Sequence, residues 1–165
     1  MTITLPDRNT DEGAETRLLM SEARGPSFAS FNLSDTTRAM ALMDLVLVNR
    51  LTNRPGRFGA PGASTLRDII KAKGQFAGFE TYPNYDSRIV GRLQNMLSIA
   101  NNTSDRRSGD FTSFIQAAID RANAPNAIVD PSPGLLCAWR TAGASSPGSA
   151  FTLHVSVAGN DFYYI

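Results

Sequence analysis

Residues 34–53 read SDTTRAMALMDLVLVNRLTN, and the middle of this run, Met40 to Val48, is apolar on nearly every side except at Asp44. Apolar positions all around a helix, rather than along one stripe, mean a helix enclosed by others. Ser34 is placed to cap its N-terminus, with Asp35 in the first turn, where the helix dipole favours a negative charge. The segment 39–51 is therefore expected as the buried centre of the domain, with the rest of the chain wrapped around it.

Upstream, Glu12 to Ala23 carries Ala14, Leu18, Leu19, Glu22 and Ala23 near one stripe at helical spacing, and Gly25-Pro26 ends that helix. Residues 1–11 are polar and contain a proline, and they are expected as a flexible arm outside a single domain spanning 12–165. Downstream, Pro55 to Ala63 is a Gly/Pro loop. Ser64 or Thr65 caps a short helix through Lys73, which Gly74 stops. Residues 75–85 are irregular and rich in aromatics. Helices follow at about Asp86–Ala100 and Asp110–Ala122, and Pro125, Pro131 and Pro133 then break any helix. Leu135–Thr141, Phe151–Val157 and Phe162–Ile165 read as strands. In the second of them Phe151, Leu153, Val155 and Val157 alternate with Thr152, His154 and Ser156, the period of a half-buried strand. The expected fold class is α+β, with about five helices around the buried central one and a small antiparallel sheet near the C-terminus.

The chain has 165 residues, 42% hydrophobic and 19% charged, an ordinary globular mixture sized for one domain. Sixteen Lys and Arg against fifteen Asp and Glu leave a formal charge of +1, and no basic cluster marks one face, which argues against a nucleic-acid partner. The Arg106-Arg107 pair sits among polar residues as a solvated loop. Cys137 is the single cysteine, so neither a disulfide nor a thiolate metal cluster can form within the chain. Beside Leu135, Leu136 and Trp139 it reads as a small buried apolar residue. His154 is its only conceivable catalytic partner, nothing local activates the thiol, and His154 itself reads as an exposed bystander. Gly56, Gly59 and Gly62 lack the phosphate-loop spacing. No metal constellation and no cofactor are expected. No apolar run approaches the ~20 residues of a membrane span.

Glu22 is the most informative polar residue. It lies one turn beyond Leu18 and Leu19, so it projects from the apolar face of its helix. It also stands at the C-terminal end, where the helix dipole disfavours a carboxylate. Partial burial pushes its pKa the same way, upward, and a carboxyl that keeps its proton near neutrality can act as a general acid. Spacing alone leaves a second reading open, an ion pair at the rim with Arg17 or Arg24.

Ser21-Glu22-Ala23-Arg24-Gly25 resembles the Glu-Ala-Arg-Gly motif of the SleB-type cell-wall hydrolases, the spore-cortex-lytic family. Further pieces follow in order. The apolar helix ending in Asn49-Arg50 resembles the family's helix closing in Val-X-Asn-Arg. Residues 65–70 and then Gln75-Phe76 resemble the segment leading to its Gln-Phe signature. Gly159-Asn160-Asp161-Phe162-Tyr163 resembles its closing Gly-Asn-His-Phe-Tyr. The similarity runs from about residue 18 to 164. The sequence departs from the pattern at Pro26, at a connector (Ser27–Thr37) that looks longer than usual, at Ala77 in place of a hydroxyl residue, and at Asp161 in place of histidine.

The resemblance implies a lysozyme-like fold and a single catalytic glutamate, Glu22, acting on the bond between N-acetylmuramic acid and N-acetylglucosamine. It fits either a lytic transglycosylase or a muramidase. A hydrolase needs a second carboxylate at a defined separation, and Asp44, Glu80 and Asp86 are the candidates. Gln75, Tyr82 and Tyr85 are the candidates for sugar binding, since aromatic faces stack on pyranose rings and amides bond the N-acetyl groups. Arg24, Asn49 and Arg50 are expected to support the site. The implied partner is peptidoglycan, and an antibacterial toxin would add an immunity protein seated in the cleft. The alternative is a non-catalytic wall-binding module. Residues 1–10 lack the basic start and apolar run of a secretory signal. The expectation is thus a protein made in the cytoplasm that reaches the periplasm or wall by a secretion apparatus, by lysis, or as a domain of a longer protein.

Overall fold

A computed structural model describes residues 2–124 and 128–165; Pro125, expected as a helix breaker, lies outside them. The fold is α+β. The helices are α1 (Asp11–Glu22), α2 (Leu33–Thr52), α3 (Leu66–Ile70), α4 (Ser87–Asn101) and α5 (Ser108–Ala122), with a 3-10 turn at Pro55–Phe58. Three strands follow, β1 (Leu136–Thr141), β2 (Thr152–Val157) and β3 (Asn160–Tyr164). They form one antiparallel sheet in the order β1-β3-β2.

The central helix α2 begins earlier than Ser34. The Asn32 side chain accepts from Asp35 N–H and caps it, so the connector from α1 ends at Asn32 rather than running to Thr37. From Ala39 to Val48 almost every side chain of α2 is buried, and two apolar clusters meet along it. Met40, Met43 and Val46 pack with Leu19, Met20, Phe111, Phe114 and Phe162. Leu47 and Val48 pack with Leu18, Ile69, Ile70, Phe76 and Phe79. Each such side chain removed from water contributes about 1.5–3 kcal/mol of transfer free energy. A helix that is apolar all round is thereby covered on all sides.

α3 stops at Ile70, short of Lys73. Thr65 and Asp68 form a reciprocal capping box at its start, but the chain leaves the helix at Lys71 and turns through Gly74 at φ +73°. The expected alternation in β2 is interrupted. A register shift between Leu153 and Val155 changes which face each side chain meets, leaving Leu153 51% exposed while Val157 is buried. His154 is half-buried, edge-on to Tyr164 with ring centroids 6.4 Å apart.

The N-terminal segment is not the loose arm its composition suggests. Ile3 is buried, its N–H donates to Asn101 Oδ1 at 2.8 Å, and Asn101 Nδ2 donates back to the Ile3 carbonyl at 2.9 Å. Arg17 Nη1 donates to the Pro6 carbonyl, and Asp7 lies so close to α1 that a Cβ at Gly13 would overlap its carbonyl. One apolar side chain and the paired amide of Asn101 suffice to dock a short polar segment whose backbone groups are thereby satisfied.

Candidate functional site

Glu22 is the last residue of α1, and three separate elements fix the turn behind it. The Ala23 N–H closes the helix on the Leu19 carbonyl. Thr36 Oγ1, on α2, donates to the Arg24 carbonyl at 2.9 Å. The Arg24 guanidinium donates to Ser30 Oγ at 2.7 Å and lies across Gly159, whose missing Cβ makes the approach possible. Gly159 is the second residue of the two-residue turn between β2 and β3, where Ala158 (φ 47°) and Gly159 (φ 74°) both take the left-handed conformation that such hairpins require. The end of α1, the connector and the hairpin are thus tied together at Arg24.

Arg24 is therefore not the ion-pair partner of Glu22, and neither is Arg17, which is engaged with the carbonyls of Pro6 and Gly13. The Glu22 carboxyl instead receives the indole N–H of Trp139, Nε1 to Oε2 at 3.4 Å. Burial raises its pKa above the ordinary carboxyl range, while Trp139 and the more distant charge of Arg92 pull the other way. No basic residue occupies the last turn of α1 to relieve the unfavourable dipole.

Glu22 stands between two cavities of about 300 and 420 Å3, and Ser21, Glu22 and Arg92 belong to the walls of both. Arg92 is held by Ser21 Oγ at 2.6 Å. A third cavity, about 540 Å3, shares Ala77 with the second and has Trp139 in its wall. Trp139 stacks on Phe76 with centroids 5.1 Å apart and so reaches Glu22 from a fixed position. Phe28, 55% exposed, lines the first cavity. Aromatic surface, a carboxyl whose protonated form burial favours, and cavities on both sides of it suit an extended ring polymer with a protonatable bridging oxygen.

Not every sequence-nominated residue comes to this place. Gln75 lines the third cavity and accepts from Arg50 Nη1 at 3.0 Å. Tyr82 and Tyr85 are not beside Glu22. Phe79, Tyr82 and Tyr85 stack on one another at 5.4–6.1 Å, so the faces a sugar would need are covered by each other. Tyr82 is buried, and Tyr85 lines a separate cavity of about 730 Å3 beneath the N-terminal segment. Asn49 and Arg50 join α2 to the start of β1. Asn49 Nδ2 donates to Asp130 Oδ2 and the Leu136 carbonyl, and Arg50 Nε to the Cys137 carbonyl at 2.7 Å.

Of the other carboxyls, Asp44 is fully buried beside Glu15, with Arg121 Nη1 3.6 Å away. Glu15 lies two turns, roughly 10 Å, below Glu22 on α1. Glu80 accepts from the Gly78 N–H. Asp86 shares the second cavity with Glu22, but caps α4 and is bound by Arg88 through both oxygens, which hold it ionised below the usual carboxylate range. Cys137 is buried, its thiol pKa raised by burial, and β3 lies between its strand and that of His154. Asp161 holds the sheet, accepting from Ser156 Oγ and the Gly143 N–H. Among the described residues no group of acidic, histidine or cysteine side chains is arranged to hold a metal, and no helix is long and apolar enough to cross a membrane.

Trp139, Arg92 and Phe28 escaped the sequence reading. Trp139 is the only tryptophan of the chain, yet its placement against α1 depends on a strand 117 residues away. No family model, no curated protein and no solved structure matches the chain.

Proposed function

We propose that this protein cleaves the glycan strands of peptidoglycan between N-acetylmuramic acid and N-acetylglucosamine, on a lysozyme-like arrangement of helices, with Glu22 as its acid. The observation that carries this reading is the Glu22 carboxyl itself. Burial and the end of α1 favour its protonated form, it is oriented by Trp139, and it stands between two cavities. Glu22 gives its proton to the bridging oxygen as the bond to the muramic C1 breaks. The carboxylate left behind then takes a proton from the muramic 6-hydroxyl, which closes a 1,6-anhydro ring, or from a water that attacks C1. Asp86 is the one other carboxyl in the walls of the two cavities beside Glu22 among the described residues, and its oxygens are engaged by Arg88. That occupation favours the route with one carboxyl over a water-activating pair. The same reading places the protein's action in the periplasm or wall, as an antibacterial toxin or a phage lysin, with the face around Glu22 as the surface an inhibitor would cover.

The test is mass spectrometry of soluble products from purified sacculi, comparing wild type with Glu22→Gln. The amide is isosteric and still accepts from Trp139, so the fold is kept while the proton is lost. Anhydro-muropeptides from the wild type alone are the expected result, and reducing-end muropeptides would assign a hydrolase. Equal activity of the variant would remove Glu22 from the chemistry. If sacculi are bound but no fragments are released, the protein is a wall-binding module and not an enzyme.

A further inference from the structure

We infer that the third cavity is a subsite for an anionic substituent of the glycan, a carboxylate carried on a sugar next to the bond that is cut. The assignment of a glycan rests on the function proposed above; the charge preference rests on the cavity. Its wall holds Arg50 from α2, Arg57 from the 3-10 turn and Arg140 from β1, and it contains no aspartate or glutamate. None of these arginines forms an ion pair with a carboxylate among the described residues.

Arg50 is the built part of the site. It is 9% exposed, and its guanidinium is fixed by the Cys137 carbonyl and Gln75 Oε1 and lies over the rings of Phe58 and Phe76 at 5.7 and 5.5 Å. A cation taken out of water needs compensation, and neutral carbonyls and ring faces supply only part of what a carboxylate would. The chain brings no carboxylate to it and instead adds two exposed arginines, Arg57 and Arg140, around the same opening. Trp139 and Phe151 give the cavity an apolar wall for a sugar ring, and Ala77 lines both this cavity and one beside Glu22. A planar guanidinium already held on one edge presents its remaining N–H donors in the geometry a carboxylate accepts. In a muramic glycan that group is the lactyl carboxylate or the first carboxylate of its peptide stem.

Trp139, as the only tryptophan, reports occupancy of this cavity by its fluorescence. The experiment titrates the Glu22→Gln protein, which leaves ligands uncut, with three tetrasaccharides. These are alternating N-acetylglucosamine and N-acetylmuramic acid, the methyl ester of the same chain, and chitotetraose. The acid is expected to bind about tenfold more tightly than its ester, the effect of one solvent-accessible charge-assisted hydrogen bond, with the gap narrowing as salt is added. In the Arg57→Gln/Arg140→Gln background, where both substitutions are at exposed positions and Arg50 is kept, the acid-to-ester ratio should fall, with the remaining preference carried by Arg50. Equal affinity for acid and ester, a ratio that the double variant leaves unchanged, or no binding of any of the three overturns the inference. Inorganic phosphate binding as tightly as the acid would overturn the glycan assignment. A preference for the acid without any fragment release from sacculi sinks the enzyme reading and leaves the subsite standing. Fragment release without the preference does the reverse.

Discussion

Replacing Glu15 by glutamine should change how the protein's stability depends on pH. Glu15 is fully buried between α1 and α2, and burial first, then the neighbouring Asp44 carboxylate, push its pKa up to about 9, against a weaker opposing pull from Arg121. The native protein therefore holds a proton on this pair that the unfolded chain releases near pH 4.5. A carboxyl whose folded pKa lies above its unfolded value stabilises the fold at low pH, and that contribution is lost as pH rises toward the folded value. One proton of difference means a fall of about 1.4 kcal/mol per pH unit, or about 3 kcal/mol between pH 6 and pH 8. That is a large part of a typical total of about 5–15 kcal/mol. Glutamine has the same shape, keeps a donor for Asp44 and binds no proton, so the variant should lack this slope. Urea unfolding at pH 6, 7 and 8 gives both free energies, and their difference cancels the titrating groups outside the Glu15–Asp44 pair, Glu22 included. The variant should gain on the wild type by about 1.4 kcal/mol for each unit of pH, with an unchanged denaturant slope. Parallel curves would mean that Glu15 is ionised in the fold and that the reasoning from burial is wrong.

Trp139→Phe keeps the ring against Phe76 but removes the indole N–H that Glu22 accepts. The Glu22 pKa should then move further up, so the alkaline limb of the pH–rate profile on sacculi moves to higher pH; a limb that stays or moves down refutes the contact. Gly159→Ala places a methyl group inside the Arg24 guanidinium at φ +74°. It should cost about 1–3 kcal/mol in urea unfolding and also lower activity, because Arg24 anchors the turn behind Glu22.

The period-based reading reached the α+β class, the buried central helix and the small C-terminal sheet, because each depends on local pattern: the run of apolar residues around Leu45, Asp86 before a helix, alternation beside β3. The position of Glu22 was legible for the same reason, since its place on the apolar face and at a helix end follows from spacing. What the pattern did not show depends on side-chain packing and backbone irregularities that periodicity does not carry. Tyr82 and Tyr85 look like a sugar platform until Phe79 is seen to cover them. The N-terminal residues look unattached until Asn101 is seen to hold Ile3. The bulge in β2 leaves no mark in composition, and it turns Leu153 outward although the alternation points it in. Arg92 and Trp139 reach the end of α1 only through tertiary structure, by side-chain contacts from α4 and β1 to Ser21 and Glu22.

The hydrogen bond from Trp139 to Glu22 spans 117 residues. Pairings so distant form late in folding, because closing a long loop costs entropy before the contacts within it give any return. On the ribosome the consequence is sharper. Synthesis runs from the N-terminus, so α1 emerges well before β1 and the β2–β3 turn under Arg24. Until residues 136–160 have emerged, Glu22 has no indole to orient it, and one of the cavities beside it lacks the walls that Thr141 and Asn160 provide. A chain cut before β1 therefore carries the Glu22 carboxyl without the indole and the cavity walls that surround it in the fold.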